Sequence, residues 1–200
     1  MKIKSSLVLL LVSLLSACIS VTKVPTEDVK QVWDARANYL YQLEDWEAQL
    51  SLVGVTNQQK FKARVVWYQQ TDDYQIKLRD FIGRTIAIID GSPSEVVAKT
   101  SKGKRYQGDD AETLIDELFA INIPVTGMRY WLQGLPLPSV EVEQLNFNDE
   151  GLAHILNQQG WKISYPYYMS NNPYKMPSQV LLEFEDIELN VKISQWKLSP

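Results

Sequence analysis

The amino-acid sequence predicts an α+β fold that is mainly β, with antiparallel strands and helices packed on them. Three observations carry this. Apolar and polar residues alternate with period two from Trp46 to about Thr100, and again from about residue 140 to Trp196. Between these blocks lie two short stretches of helical periodicity, around Leu114 and around Met128. Strands and helices come in runs, not in strand–helix–strand repeats, which argues against a parallel sheet.

The chain opens with an export signal, residues 1–17. Lys2 and Lys4 form a positive start, and Ser5 to Leu15 is an apolar run too short to span a membrane comfortably. It ends in Leu15-Ser16-Ala17-Cys18, which resembles a bacterial lipobox. Small residues there let the peptidase bind extended backbone, and the Cys18 thiol is the nucleophile that can carry a diacylglycerol thioether. The competing readings are an ordinary secretory signal with a chance Cys, or an uncleaved anchor. Against both, Cys18 is the only Cys and sits at the lipobox position. A triacylated Cys18 would tether an otherwise soluble protein, since each buried CH₂ contributes about 0.8 kcal/mol. No thiol would then remain for a disulfide or a metal site.

Cleavage would leave 183 residues, enough for one domain (26–200) behind a lipidated tether (18–25). It would also leave 18 basic against 24 acidic residues, a net charge of −6. That balance excludes a nucleic-acid binder with a dominant basic face. It also argues against electrostatic docking on anionic lipid, so membrane contact beyond the anchor is expected to be apolar.

Thr26 can cap a helix of roughly 27–44, with Glu27 and Asp28 in its first turn. Its apolar stripe comprises Val29, Val32, Trp33, Tyr39, Leu40 and Leu43, with Arg36 as a polar interruption. Phe61, Ala63, Val65 and Trp67, then Tyr74, Ile76 and Leu78, then Ile86 to Ile89 mark strands. Turn signals separate them at 56–57, 71–73, 81–83 and 91–93. Residues 96–100 and 105–106 add a further pair. Asp109 with Glu112 resembles a capping box for a second helix bearing Leu114, Ile115, Leu118 and Phe119. Thr126 opens a third, carrying Met128, Trp131 and Leu132, which Gly134 and Pro136 stop. Strands then follow at 140–147, 151–157, 160–168, 179–184 and 187–196.

Several segments resemble the LolB family, in order along the chain. They are Trp46, Arg64-Val65-Val66-Trp67, the run Arg105 to Glu112, Arg129-Tyr130-Trp131-Leu132-Gln133-Gly134-Leu135-Pro136, Gln159 to Tyr165 and Trp196. The chain departs from the pattern at Leu50, where a Gly is expected. The resemblance implies an open, strongly curved antiparallel sheet, an unclosed half-barrel. About three helices would cover it and enclose a hydrophobic cavity for acyl chains. It implies an outer-membrane lipoprotein facing the periplasm, with Ile19 after Cys18 compatible with that destination. The implied role is to accept mature lipoproteins from a periplasmic LolA-like carrier and insert them into the inner leaflet of the outer membrane. The expected partners are that carrier, the acyl chains of the cargo and the membrane, with the protein itself a monomer. A structural or scaffold lipoprotein without transfer activity is the alternative.

Two sets of site residues follow. Phe81 and Ile82 stand before Gly83 at a hairpin tip, where polar residues are the rule. In LolB-like proteins the equivalent loop projects a bulky apolar residue that engages the membrane, and Ile82 matches that place best. A core plug is the competing reading. Trp46, Trp67, Trp131, Trp161 and Trp196 are candidates to line the acyl cavity, although each is individually better explained as packing. An enzyme is not expected. His154 is the only His, and no nucleophile pattern accompanies it. Asp109, Asp110 and Glu112 suit helix capping better than acid–base chemistry. No metal or cofactor is expected, and no Gly-Lys-Ser/Thr phosphate loop is present. The roles of Arg64 and Arg129 stay open.

Overall fold

In the computed structural model, residues 26–199 are described; the signal segment, Cys18 and the tether lie outside them. Helix α1 (Thr26–Tyr41) leads into six strands joined by hairpins: β1 (Asp45–Val55), β2 (Lys60–Gln70), β3 (Asp73–Arg79), β4 (Thr85–Ser92), β5 (Glu95–Thr100) and β6 (Arg105–Gly108). Helices α2 (Ala111–Phe119) and α3 (Val125–Trp131) follow. The chain ends in β7 (Gln144–Phe147), β8 (Ala153–Gln158), β9 (Trp161–Tyr168), β10 (Pro177–Phe184) and β11 (Ile187–Ser199).

All eleven strands form one antiparallel sheet, ordered β6-β5-β4-β3-β2-β1-β11-β10-β9-β8-β7. The first and last strands meet at its centre, where Asp45 pairs with Ser199 and Val55 with Glu188. Each half then meanders outwards to an edge, β6 or β7, and the two edges do not pair. The sheet is therefore an unclosed half-barrel, and α2 and α3 carry the chain from one edge to the other.

Strong curvature follows from where α3 reaches. Arg129 donates to Thr71 O (2.6 Å) in the β2–β3 turn. Two residues later, the Trp131 indole donates to Gln158 Oε1 (2.9 Å) at the end of β8. In a flat sheet β2 and β8 would stand about 24 Å apart. Side chains two positions apart on one short helix meet both only because the sheet folds round them. Bulges aid this bending. Between Gln49 and Leu50 the register of β1 on β11 slips, leaving Ser194 as the extra residue, and its hydroxyl donates to Gln49 O (3.0 Å). Strand β1 runs unbroken through Leu50, whose side chain is buried on the concave face.

Local chemistry moves some boundaries. Helix α1 ends at Tyr41, earlier than the periodicity suggests, because Leu43 N–H turns back to Leu40 O in a tight last turn (3.2 Å). Its buried face is Ala37 and Leu40, while Val32 is half exposed. The α2 cap is Asp110, one residue after Asp109, accepting from Thr113 N–H (2.7 Å) and Thr113 Oγ1 (2.9 Å). Glu112 does not close a capping box on its own helix. It reaches across to accept the Thr126 N–H (2.7 Å), tying the start of α3 to α2. Strand β7 begins at Gln144, later than expected, because Val140 O is used by the buried Gln158 amide (3.1 Å).

Candidate functional site: an apolar chamber and an exposed hairpin

Beneath α2 and α3, on the concave face of β1–β4, lies a cavity of about 180 Å³. Its floor is Leu50, Leu52, Ala63, Val65, Trp67 and Ile76. Its roof is Ile115 and Phe119 of α2, Ile121 and Ile123 of the connecting segment, and Val125 and Met128 of α3. Period-two alternation sets the floor, since every second side chain of β1 to β3 faces inwards. Ile86 joins the lining by another route. A register slip between Leu78 and Arg79 leaves Ile86 as the extra residue of β4, and the bulge turns it onto the chamber.

Polar groups at the chamber are few and have other work. Gln59 Nε2 donates to Phe119 O (3.1 Å) and Ala120 O (3.2 Å), holding the end of α2 against the β1–β2 turn. Lys62 lies at the rim, its residue exposed.

At this end of the sheet stands the β3–β4 hairpin, residues 80–84. Phe81 is 76% exposed and Ile82 60%, so neither is a core plug. Asp80 builds the turn beneath them. Its carboxylate accepts from Ile82 N–H (3.0 Å), Arg84 N–H (2.9 Å) and Arg84 Nε (2.7 Å). Gly83 has φ of +90°, a conformation an L side chain resists, and nothing packs where a Cβ would be. Desolvation works to raise the Asp80 pKa, but the Arg84 and Ile82 hydrogen bonds and the Arg84 charge outweigh it. The carboxyl is held below its ordinary value. The tip is thus a small, fixed turn presenting two bare apolar side chains to solvent.

Of the five candidate tryptophans, Trp67 lines the chamber. Trp46 packs between Trp67 and Trp196, with ring centroids 5.7 and 5.4 Å away. Trp131 and Trp161 pack together at 6.2 Å beneath the other half of the sheet. All four are buried in the core outside the chamber. The aliphatic residues of the lining carried no signal of their own in the sequence beyond alternation. The roof residues Ile121 and Ile123 sit in an irregular segment where no periodicity could mark them.

The remaining polar candidates separate. Arg64 is exposed on the convex face, and Arg129 pairs with Asp72 (3.2 Å). His154 is exposed on β8. Among the described residues no group of three or more His, Cys, Asp or Glu could hold a metal ion. Likewise, no helix among them is long and apolar enough to cross a membrane.

The described residues thus define an unclosed α+β half-barrel built round an apolar chamber. A family model described as "Outer membrane lipoprotein LolB" matches residues 44–196. A relative from Alkalilimnicola ehrlichii, named Outer-membrane lipoprotein LolB, is 31% identical over 93% of this chain and 92% of its own length. One of the same name from Aeromonas hydrophila subsp. hydrophila is 35% identical over 84% of each. Among solved structures, a DUF1329 family protein from Desulfovibrio piger shares the fold. Its TM-score is 0.52, it covers 88% of this chain and 94% of its own, and it is 6% identical. The chain belongs to the LolB family. It is an outer-membrane lipoprotein of the Lol pathway, lipid-anchored and facing the periplasm.

Proposed function

We propose that the protein accepts mature lipoproteins from a LolA-like periplasmic carrier and inserts them into the inner leaflet of the outer membrane. Cys18 is the anchor, the chamber shelters cargo acyl chains, and Phe81 and Ile82 enter the bilayer at delivery. The task is physical transfer, with no bond made or broken. The observation that carries this reading is the pairing of an apolar chamber with a bare apolar hairpin at the same end of the sheet.

Magnitudes decide how the chamber works. A dry cavity of about 150 Å³ holds one benzene. The chamber, at about 180 Å³, therefore takes a short stretch of one acyl chain as it stands. A triacylated cargo needs more room, and the roof supplies it. Helix α2 is tied to the sheet side by the two Gln59 bonds and to α3 by Glu112, so few polar contacts resist its lifting. Every CH₂ sheltered contributes about 0.8 kcal/mol, and a bilayer shelters the whole chain where the chamber shelters part. Transfer onward therefore runs downhill without ATP.

The test uses the mature form with Cys18→Ala, mixed with carrier loaded with one lipoprotein. Pull-down reports whether cargo changes hands, and liposomes added next report delivery, with Ile82→Glu in parallel. Cargo should move to the wild-type form and reach liposomes, while Ile82→Glu accepts but delivers poorly. If a folded protein takes no cargo from the carrier, transfer is wrong and a scaffold role replaces it.

A further inference from the structure

Charge is segregated along the strand axis of the β1–β6 half. Asp45, Asp72, Asp73, Asp109 and Asp110 lie at the end away from the Phe81–Ile82 tip. Around the tip the sign reverses. Arg79 and Arg84 flank it, the β5–β6 turn carries Lys102 and Lys104, and Arg105 opens β6. That turn stands beside the tip hairpin, since Ser101 N–H donates to Ile86 O (2.9 Å). All five cations are exposed. Among the described residues Arg84 pairs with Asp80, while no carboxylate oxygen lies within 4.0 Å of the Arg79, Lys102, Lys104 or Arg105 nitrogens.

The convex face continues this pattern. An open groove of about 730 Å³ runs up to Gly83 and is lined by Arg64, Arg79 and Lys192 with Ser51, Ser178 and Ser194 among its polar residues. Acid at this end lies away from the tip hairpin: Glu185 and Asp186 on the β10–β11 turn, where Asp186 accepts from Asn57 N–H (3.2 Å), Glu143 beside the β8–β9 turn, and Asp116 and Glu117 on the last turns of α2. The basic region is therefore a one-sided collar round an apolar tip, on a protein of net negative charge.

We propose that this collar binds the phosphates of anionic phospholipids when the tip meets a membrane. Apolar side chains that enter the acyl region set the flanking cations, two residues away on each side, at headgroup depth. Each Lys or Arg near an anionic surface strengthens binding about fivefold, within a screening distance of about 8 Å. The averaged charge of −6 hides this, because it sums a basic end with an acidic one. Electrostatic contact thus adds to the apolar contact, against the expectation drawn from net charge alone. The collar also sets orientation: the opposite, acidic end is repelled and the collar attracted, so the tip faces the bilayer. This orienting role rests on the proposed membrane contact of the tip.

The test reconstitutes the full lipidated chain in vesicles of phosphatidylcholine alone or with phosphatidylglycerol, and follows amide hydrogen exchange at 80–85 and 101–105. Anionic vesicles should slow exchange several-fold at both hairpins, and 0.5 M salt should remove the difference. The exposed double variant Lys102→Glu/Lys104→Glu should lose it too, with exchange in β1 and β11 unchanged to show the fold is intact. Equal protection in both vesicle types overturns the proposal. So does protection by millimolar inorganic phosphate with phosphatidylcholine alone, which would make this a free-anion site. Ile82→Glu separates the two readings: salt-sensitive protection at 101–105 that survives in it keeps the collar, even if its delivery matches wild type and the tip proposal falls.

Discussion

The Trp131 indole N–H donates to Gln158 Oε1 at 2.9 Å, and neither residue is reached by solvent. The same oxygen accepts the Leu137 N–H (2.8 Å), and the amide nitrogen donates to Leu137 O (2.9 Å) and Val140 O (3.1 Å). One buried side chain thereby fixes α3, the segment after it and the rim before β7 to the end of β8. Such a fully used amide is worth little net against water, but its loss strands the buried Trp131 N–H and three part-buried backbone groups. Gln158→Leu should destabilise the protein by about 3 kcal/mol. Urea unfolding followed by Trp fluorescence checks this, and a loss under about 1 kcal/mol would show that water takes over the freed groups.

Arg36 plays the matching part for α1. Its guanidinium donates to Tyr174 O (2.9 Å), Gln133 O (2.8 Å) and Lys175 O (3.3 Å). It also lies over the Tyr168 ring at 5.9 Å. Burial pushes its pKa down, against the raising influence of Tyr168 and Tyr165, yet a guanidinium stays charged. The planar fork suits several carbonyls at once, which a single ammonium cannot match. Arg36→Lys should therefore fail to rescue, lowering stability nearly as far as Arg36→Met does. Thermal unfolding of both variants decides it, and a lysine variant at wild-type Tm would mean that charge alone suffices.

How much of this was legible in the sequence depends on what each signal measures. Alternation and helical stripes report which face a residue occupies, so every strand and all three helices were visible. They do not report how tightly that face is roofed. Trp131, Trp161 and Trp196 fill space completely, so they mark where the core is solid, whereas the chamber lies among Ala63, Val65, Leu52 and Ile76. The Ile86 bulge breaks the alternation that would have placed it, and Glu112 caps a helix fourteen residues on. Phe81 and Ile82 were conspicuous because apolar residues at a turn break a local rule, and that holds without tertiary knowledge.

The hairpin should respond to acid through Asp80. Its pKa is lowered in the folded state, so its contribution is fully present above the unfolded value, about 3.9. That contribution fades as pH falls through the lower folded value. Amide exchange at Ile82 and Arg84, normalised to an unstructured peptide, should lose protection below about pH 4. Asp80→Asn should show weaker protection already at neutral pH and little further change. Equal pH profiles in both proteins would mean that the turn is held by its backbone alone.

The chamber itself can be closed without touching the tip or the collar. Ala63 lies on its floor and is only partly buried, so a larger side chain there has free volume to enter. Ala63→Phe should fill the space between Val65, Ile115 and Phe119. Overpacking usually costs stability, but filling an existing void does not, so the Tm should hold or rise. Acyl uptake should fall instead. A fluorescent fatty acid should bind at least about tenfold more weakly, a loss of about 1.4 kcal/mol. Cargo acceptance from the carrier should fall with it, while vesicle contact by the hairpins stays as in wild type. Unchanged fatty-acid binding in a folded Ala63→Phe protein would place the acyl site elsewhere. A parallel loss of vesicle contact would show instead that the substitution had distorted β2 and β3 as far as the hairpin.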